Sequence, residues 1–194
     1  MAYGLRPVRG PGTGYGTNTG GFNEYPVADS YAGNIFAGDF VELLTDGTVQ
    51  RQNTTTGESP VAATPTLGVA VGFRYTDTSG TPQFSQYYPA SGGTDIFAYV
   101  CDDPNQLYVI QGDEVMDQTD VGATFLVAGF AAADGSTKTG NSGIYLDSSS
   151  VNTTAQTCKV LSIIKDGENE NSSKPNVIIQ LLPGVSQLGL STGI

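Results

Sequence analysis

The stretch that decides the fold runs from Ile35 to Val49, IFAGDFVELLTDGTV, and is answered by LGVAVGFRY from Leu67 to Tyr75. Gly38-Asp39 is a turn signal, and Phe40 to Leu44 is an apolar run of strand length. Asp46-Gly47 supplies a tight turn, because glycine takes positive φ without a Cβ clash. Thr48 and Val49 resume an extended segment. In the answering run, alternation sets Val69, Val71 and Phe73 on one face and Gly68, Ala70 and Gly72 on the other. A bare glycine face marks sharp coiling, as at the corner of a small barrel. The expectation is an all-β fold, a small β-barrel or sandwich, whose defining strands carry no catalytic group.

Composition agrees. The chain has 194 residues, long enough for one large domain or a domain with an extension to bury a core. Glycine occurs 26 times, and Thr, Ser, Asp and Asn crowd the spaces between short apolar runs. Helix-forming stretches rich in Ala, Leu, Glu and Lys are missing. No apolar run approaches the length of a membrane span, and no charged-then-apolar leader opens the chain, so no membrane partner is expected. Nineteen acidic residues stand against eight basic ones, a formal charge of −11. That disfavours nucleic acid, whose phosphates require clustered Lys and Arg, and fits an acidic surface that resists self-adhesion.

Residues 1–25, MAYGLRPVRGPGTGYGTNTGGFNEY, form a separate compositional unit with no strand or helix period. We read them as an extended Gly-rich N-terminal arm, followed by a β-barrel domain over 26–183 and a C-terminal tail over 184–194. Alone, such an arm buries too little apolar surface to offset its ordering entropy. The expected contacts to another chain are Tyr3, Leu5, Arg6, Val8, Arg9, Tyr15 and Phe22, with Tyr as an anchor of large area and few rotors. The competing reading is an arm folded back on its own barrel. Within the barrel, Gly72 to Tyr88 reads as one hairpin, with Phe84, Gln86 and Tyr88 alternating against Ser85 and Tyr87. Asp95 to Cys101, a DDPN turn and Leu107 to Ile110 read as a second hairpin whose first strand is central. Two short strands around a loop are expected within 112–143, a helical turn or loop over 148–156, and closing strands at Cys158 to Ile164 and Val177 to Leu182. No repeat of solenoid or propeller spacing is visible.

Several phrases resemble small structural proteins of tailed-bacteriophage heads, closest to those of marine, cyanophage-like podoviruses. These are GLRPVR, YPVADSYAGNIFAGDFVELLTDGTV, GVAVGFRYTDTSGTPQFSQYYP, CDDPNQLYVIQGD and SGIYLDSSS, which together cover most of the chain. The resemblance implies a capsid decoration or cement protein: a β-barrel bound outside the shell to the major capsid protein, often as a trimer at local three-fold axes. It implies a location on the capsid exterior of the virion, after assembly in the host cytoplasm. A fibre or tail receptor-binding domain that recognises host glycans is the alternative.

Other chemistries are weakly represented. The chain has no His, which excludes Ser–His and Cys–His nucleophile pairs and His-ligated zinc. GPGTGYGTNTGG lacks the Lys-Ser/Thr ending of a phosphate loop, so no enzyme and no cofactor are expected. Asp113, Glu114, Asp117 and Asp120 cluster, as do Asp166, Glu168 and Glu170, but the second set lacks the Gly and Glu of an EF-hand loop, and solvated loop charge is favoured over calcium. Asn53, Asn152 and Asn171 open N-x-Ser/Thr triplets that chance supplies in so polar a chain. Cys101 and Cys158 both fall in expected strands; a disulfide and two buried thiols are both open, with thiols favoured and suited to a reducing cytoplasm.

Overall fold

The computed structural model describes residues 2–8, 21–29, 31–52, 60, 63, 65–90, 93–130, 135–151, 156–165, 169 and 172–189. Short strands follow one another along the chain: β1 (Arg6–Val8), β2 (Asn23–Pro26), β3 (Ile35–Phe36), β4 (Phe40–Leu43), β5 (Val49–Arg51), β6 (Gly68–Thr76) and β7 (Pro82–Ser85). Then come β8 (Tyr87–Tyr88), β9 (Thr94–Cys101), β10 (Leu107–Gln111), β11 (Thr124–Ala128), β12 (Tyr145–Asp147), β13 (Cys158–Ile163) and β14 (Asn176–Leu181). The fold is all-β and sandwich-like.

The deciding stretch folds as its turn chemistry requires. Gly47 has φ 83° between β4 and β5, Leu44 N–H donates to Thr48 O at 2.9 Å, and Asp46 Oδ1 accepts from Thr48 N–H and Oγ1. Two sheets carry the core. One runs β2-β9-β6-β4-β5, with β7 paired to β6; the other runs β1-β10-β14-β13-β11-β12. The first curls around Val27, Ile35, Val41, Val49, Leu67, Ala70, Phe73, Tyr88, Ile96, Ala98 and Val100, all buried. The second encloses a larger cluster, including Tyr108, Ile110, Phe125, Leu146, Val160, Val177 and Ile179. Phe40, Val69 and Cys101 of the first sheet face outward and join that second cluster, which is what holds the two sheets together.

The two sheets are one topology used twice. In chain order the strands are β2, β4, β5, β6 and β9 in the first lobe, and β10, β11, β12, β13 and β14 in the second. In space both run first, fifth, fourth, second, third, with every pairing antiparallel. Each curled sheet brings its ends together at one parallel bridge, Val27 with Val49 and Gly112 with Leu146. The registers match residue for residue: Pro26 faces Phe97 as Gln111 faces Asn176, and Leu43 faces Val49 as Val127 faces Leu146. The fourth strand has a bulge at the corresponding residue, Val71 in β6 and Leu161 in β13. Gly38 and Gly122, at φ 93° and 92°, donate to Ala70 O and Val160 O at 2.8 Å in each lobe. Apart from this glycine the matched positions share little sequence, so the repeat was invisible to spacing.

Several expectations are corrected here. Neither sheet closes into a barrel, because one bridge replaces the full ladder that closure needs. Val69, Val71 and Phe73 do not share a face: the bulge at Val71 reverses the alternation, so Val69 and Val71 face the second cluster while Ala70 and Phe73 face the first. β9 does lie inside its sheet, but β9 and β10 form no hairpin, since β2 and β6 occupy both edges of β9. The DDPN turn is instead the crossover between lobes. A bend at Gln86 separates β7 from β8 and leaves Phe84 76% exposed while Tyr88 is buried. Within 112–143 the described residues hold one of the named strands, β11, and a single 3-10 turn occupies Ser148–Ser150.

Parts of the segments read as arm and tail also pair with the lobes. Residues 6–8 pair with β10, residues 23–26 pair with β9, and Leu5 is 1% exposed within the second cluster. At the C-terminal end, Val185 and Ser186 are buried, and Thr66 exchanges backbone bonds with Val185 and Gln187 at 2.7 Å. These stretches lack a period because each contributes only a few residues to a sheet whose partners are distant in sequence.

Candidate partner-binding surface

The first segment is seated where the lobes meet. Gly4, at φ 73°, lets its backbone approach Gly38: a Cβ on Gly4 would lie 2.8 Å from Gly38 Cα and 2.6 Å from Ser142 Cβ. That approach brings Leu5 N–H within 3.1 Å of Gly38 O and drops the Leu5 side chain into the core. Arg6 and Val8 then lie opposite Val109 and Leu107, and Gln106 Nε2 donates to Val8 O at 2.8 Å. Tyr3 Oη donates to Asn176 Oδ1 at 2.7 Å, with the Arg6 guanidinium 4.6 Å above its ring. Burial raises the Tyr3 pKa, and the Arg6 charge opposes the shift. Of the expected contact residues, Leu5 is a core side chain, Tyr3 and Val8 are half-buried, and Arg6 and Phe22 are exposed; Arg9 and Tyr15 lie outside the described residues.

Beneath this segment lies a buried ion pair that sequence reasoning missed. Asp39 Oδ2 is 2.8 Å from Arg51 Nε, with both side chains at most 1% exposed. Asp39 also accepts from Phe36 N–H at 2.8 Å and from Ser142 Oγ at 2.5 Å, so it ties the first lobe to the second. Burial pushes the Asp39 carboxyl upward, opposed by Arg51 and by the Ser142 and Phe36 donors. Asp39 reads as a turn residue in the sequence; only its position at the seam gives it a buried partner.

The accessible surface beside the seam divides in two. One groove, about 380 Å³, is lined by Leu5, Pro7, Phe22, Ala70 and Val71 together with the polar Tyr3, Arg6, Gln86 and Asn141. Phe22, 42% exposed, stands at its rim and opens onto β2. A second, more polar cleft of about 540 Å³ is lined by residues including Gln111, Asp113, Glu114, Tyr145 and Lys174. On β2, Glu24 meets Arg74 at 3.0 Å, and Arg74 stacks 3.9 Å over the Phe97 ring. The hydrogen bond from Arg74 holds the Glu24 carboxyl below its usual value. Asn23 Nδ2 and Tyr25 Oη both donate to Asp102 Oδ2.

Of the acidic candidates, Asp113, Asp117 and Asp120 have structural partners. Asp117 caps the 3-10 turn Gln118–Asp120 by accepting from Thr119 N–H, and Asp120 returns the bond from Asp117 N–H, each at 2.8 Å. Asp113 accepts from Ser148 N–H at 2.9 Å. Among the described residues no three acidic or Cys side chains converge as a metal-ligand set; Asp166, Glu168, Glu170, Asn53, Asn152 and Asn171 lie outside them. Cys101 and Cys158 form no disulfide and are buried in the second cluster, and burial pushes both thiols upward, away from reactivity. No described helix is long and apolar enough to cross a membrane.

Fold and surface together define an all-β protein of two like lobes, locked by a buried seam and bordered by a groove and by a strand edge, β2, that no described residue pairs with. No family model matches the chain, and no curated protein or solved structure is similar to it.

Proposed function

We propose that the chain is a structural virion protein: a decoration or cement protein on the outside of a tailed-phage head, bound to the major capsid protein as a homo-oligomer. The observation that carries this reading is the groove beside the β2 edge, lined by apolar and polar side chains together, on a two-lobed body. A groove of that kind suits docking on another protein, and the titratable side chains that line it among the described residues, Tyr3 and Arg6, are engaged with Asn176 and with each other. The phrase-level resemblance described above supplies the phage context. Bridging two shell subunits through one body makes their separation concerted, which is how such a protein resists internal DNA pressure.

Copy number in purified particles tests the reading. Quantitative mass spectrometry of intact heads should find this chain in numbers comparable with the shell subunit. A few copies per particle, confined to tail fractions, would favour the receptor-binding alternative, for which the polar cleft at Gln111, Asp113 and Lys174 is the place to look for a glycan. Absence from particles overturns both.

A further inference from the structure

The duplicated topology exposes a difference between the lobes. In the second lobe, β1 covers the outer edge of the first strand, with Arg6 opposite Val109 and Val8 opposite Leu107. The equivalent residues of β2 follow from the matched registers: Val109 corresponds to Glu24 and Leu107 to Phe22. Among the described residues nothing pairs with that edge of β2, which ends its sheet. Its polarity is set by the ladder. Val27 N–H donates to Ile96 O, so residues 23, 25 and 27 turn their backbone groups toward β9, and Phe22, Glu24 and Pro26 turn theirs outward. Pro26 therefore costs the sheet no hydrogen bond, as expected of a proline on an edge.

We propose that Phe22–Glu24 is a strand-addition site for an extended, basic segment of a second protein, seated antiparallel as β1 is seated on β10. The chemistry of the occupant follows from what it would face. Glu24 stands where the second lobe has Val109; its Oε2 already meets Arg74 at 3.0 Å, but the side chain is 43% exposed in a chain of net charge −11, so a further Arg or Lys directly across is favoured over an acidic or apolar residue. Phe22 takes an aliphatic residue two positions later, and it also lines the groove beside Leu5, Pro7 and Val71. An Arg-x-Val pattern, the one this chain places on β10, would meet both. Backbone bonds at Phe22 and Glu24 supply affinity, and the two side chains supply register. This inference goes beyond the virion reading and does not require it, because it concerns the edge and not the source of the donor.

The test uses the full-length protein and a synthetic peptide, Ala-Tyr-Gly-Leu-Arg-Pro-Val, with residue-resolved amide hydrogen exchange. At a free peptide concentration about ten times its Kd, exchange at Phe22 and Glu24 should slow about tenfold, since only unliganded protein exchanges. A peptide with Glu in place of Arg should protect less, and Glu24→Lys should invert that preference. Glu24→Pro removes an outward N–H without touching the β9 ladder, so it should abolish protection at Phe22. It should lower the melting temperature no more than Glu24→Gln does, since each loses only the exposed Glu24–Arg74 pair, while Glu24→Gln should keep protection. Protection confined to Leu107 and Val109, no protection at any amide, or undiminished binding to Glu24→Pro would overturn the proposal. So would concentration-dependent protection of the same amides without peptide, which would assign the edge to a second copy of the chain. Particle copy number reports separately on the virion reading, so either can fail alone.

Discussion

Truncating Leu5 to alanine separates a strand of the fold from a detachable arm. The side chain is 1% exposed and packs in the cluster that also holds the two lobes together. Removing a buried leucine side chain to Cβ costs about 2–5 kcal/mol, the lost transfer energy plus the cavity left behind. For a chain of this length each kcal/mol moves the melting temperature by about 2–4 °C, so a fall of about 4–20 °C is expected. Arg6→Ala, one residue along the same strand but exposed, is the control and should stay within about 0.5 kcal/mol of wild type. Thermal and urea unfolding of the three proteins gives the comparison, and exchange at Leu107 and Val109 reports locally, because β1 covers that edge of β10. If Leu5→Ala melts no lower than Arg6→Ala, the first segment is an arm, and the seating of β1 on the second lobe is refuted.

Asp39→Ala should destabilise by about 3–5 kcal/mol, because it leaves the Arg51 guanidinium buried without its partner; Asp39→Leu with Arg51→Met should cost far less. Equal losses from the single and double variants in denaturant melts would remove the ion pair from the seam. Tyr25 should ionise late: burial, the hydrogen bond to Asp102 and its charge push its pKa up to about 12. The folded state thus holds this proton more tightly than the unfolded state does. Its contribution to stability is intact below the ordinary tyrosine value of about 10 and is lost as pH rises toward 12. An NMR titration of the Tyr25 ring checks the shift, and Asp102→Asn should move it down; no movement would mean Asp102 plays no part.

The fold class was legible in the sequence because strand signals are local. Asp46-Gly47 fixes a turn within a few bonds, Phe40 to Leu43 is apolar over strand length but for Glu42, and residues 96–101 are apolar on both faces. Each of those elements formed where its own residues demanded it. The pairing of elements was not local. Asp102 to Gln106 is a good turn in either a hairpin or a crossover, and only the occupation of both β9 edges made it a crossover. One inserted residue at Val71 moved Phe73 to the opposite face, a change that alternation by itself cannot register. Leu5, Asp39 and Ser142 lie far apart in the chain and acquire their roles only when the lobes meet. The repeat itself resides in registers and bridges, which backbone hydrogen bonds specify and side-chain identity hardly does, and so does the difference it reveals: an edge covered by β1 on one lobe and, among the described residues, unpaired at Phe22–Glu24 on the other.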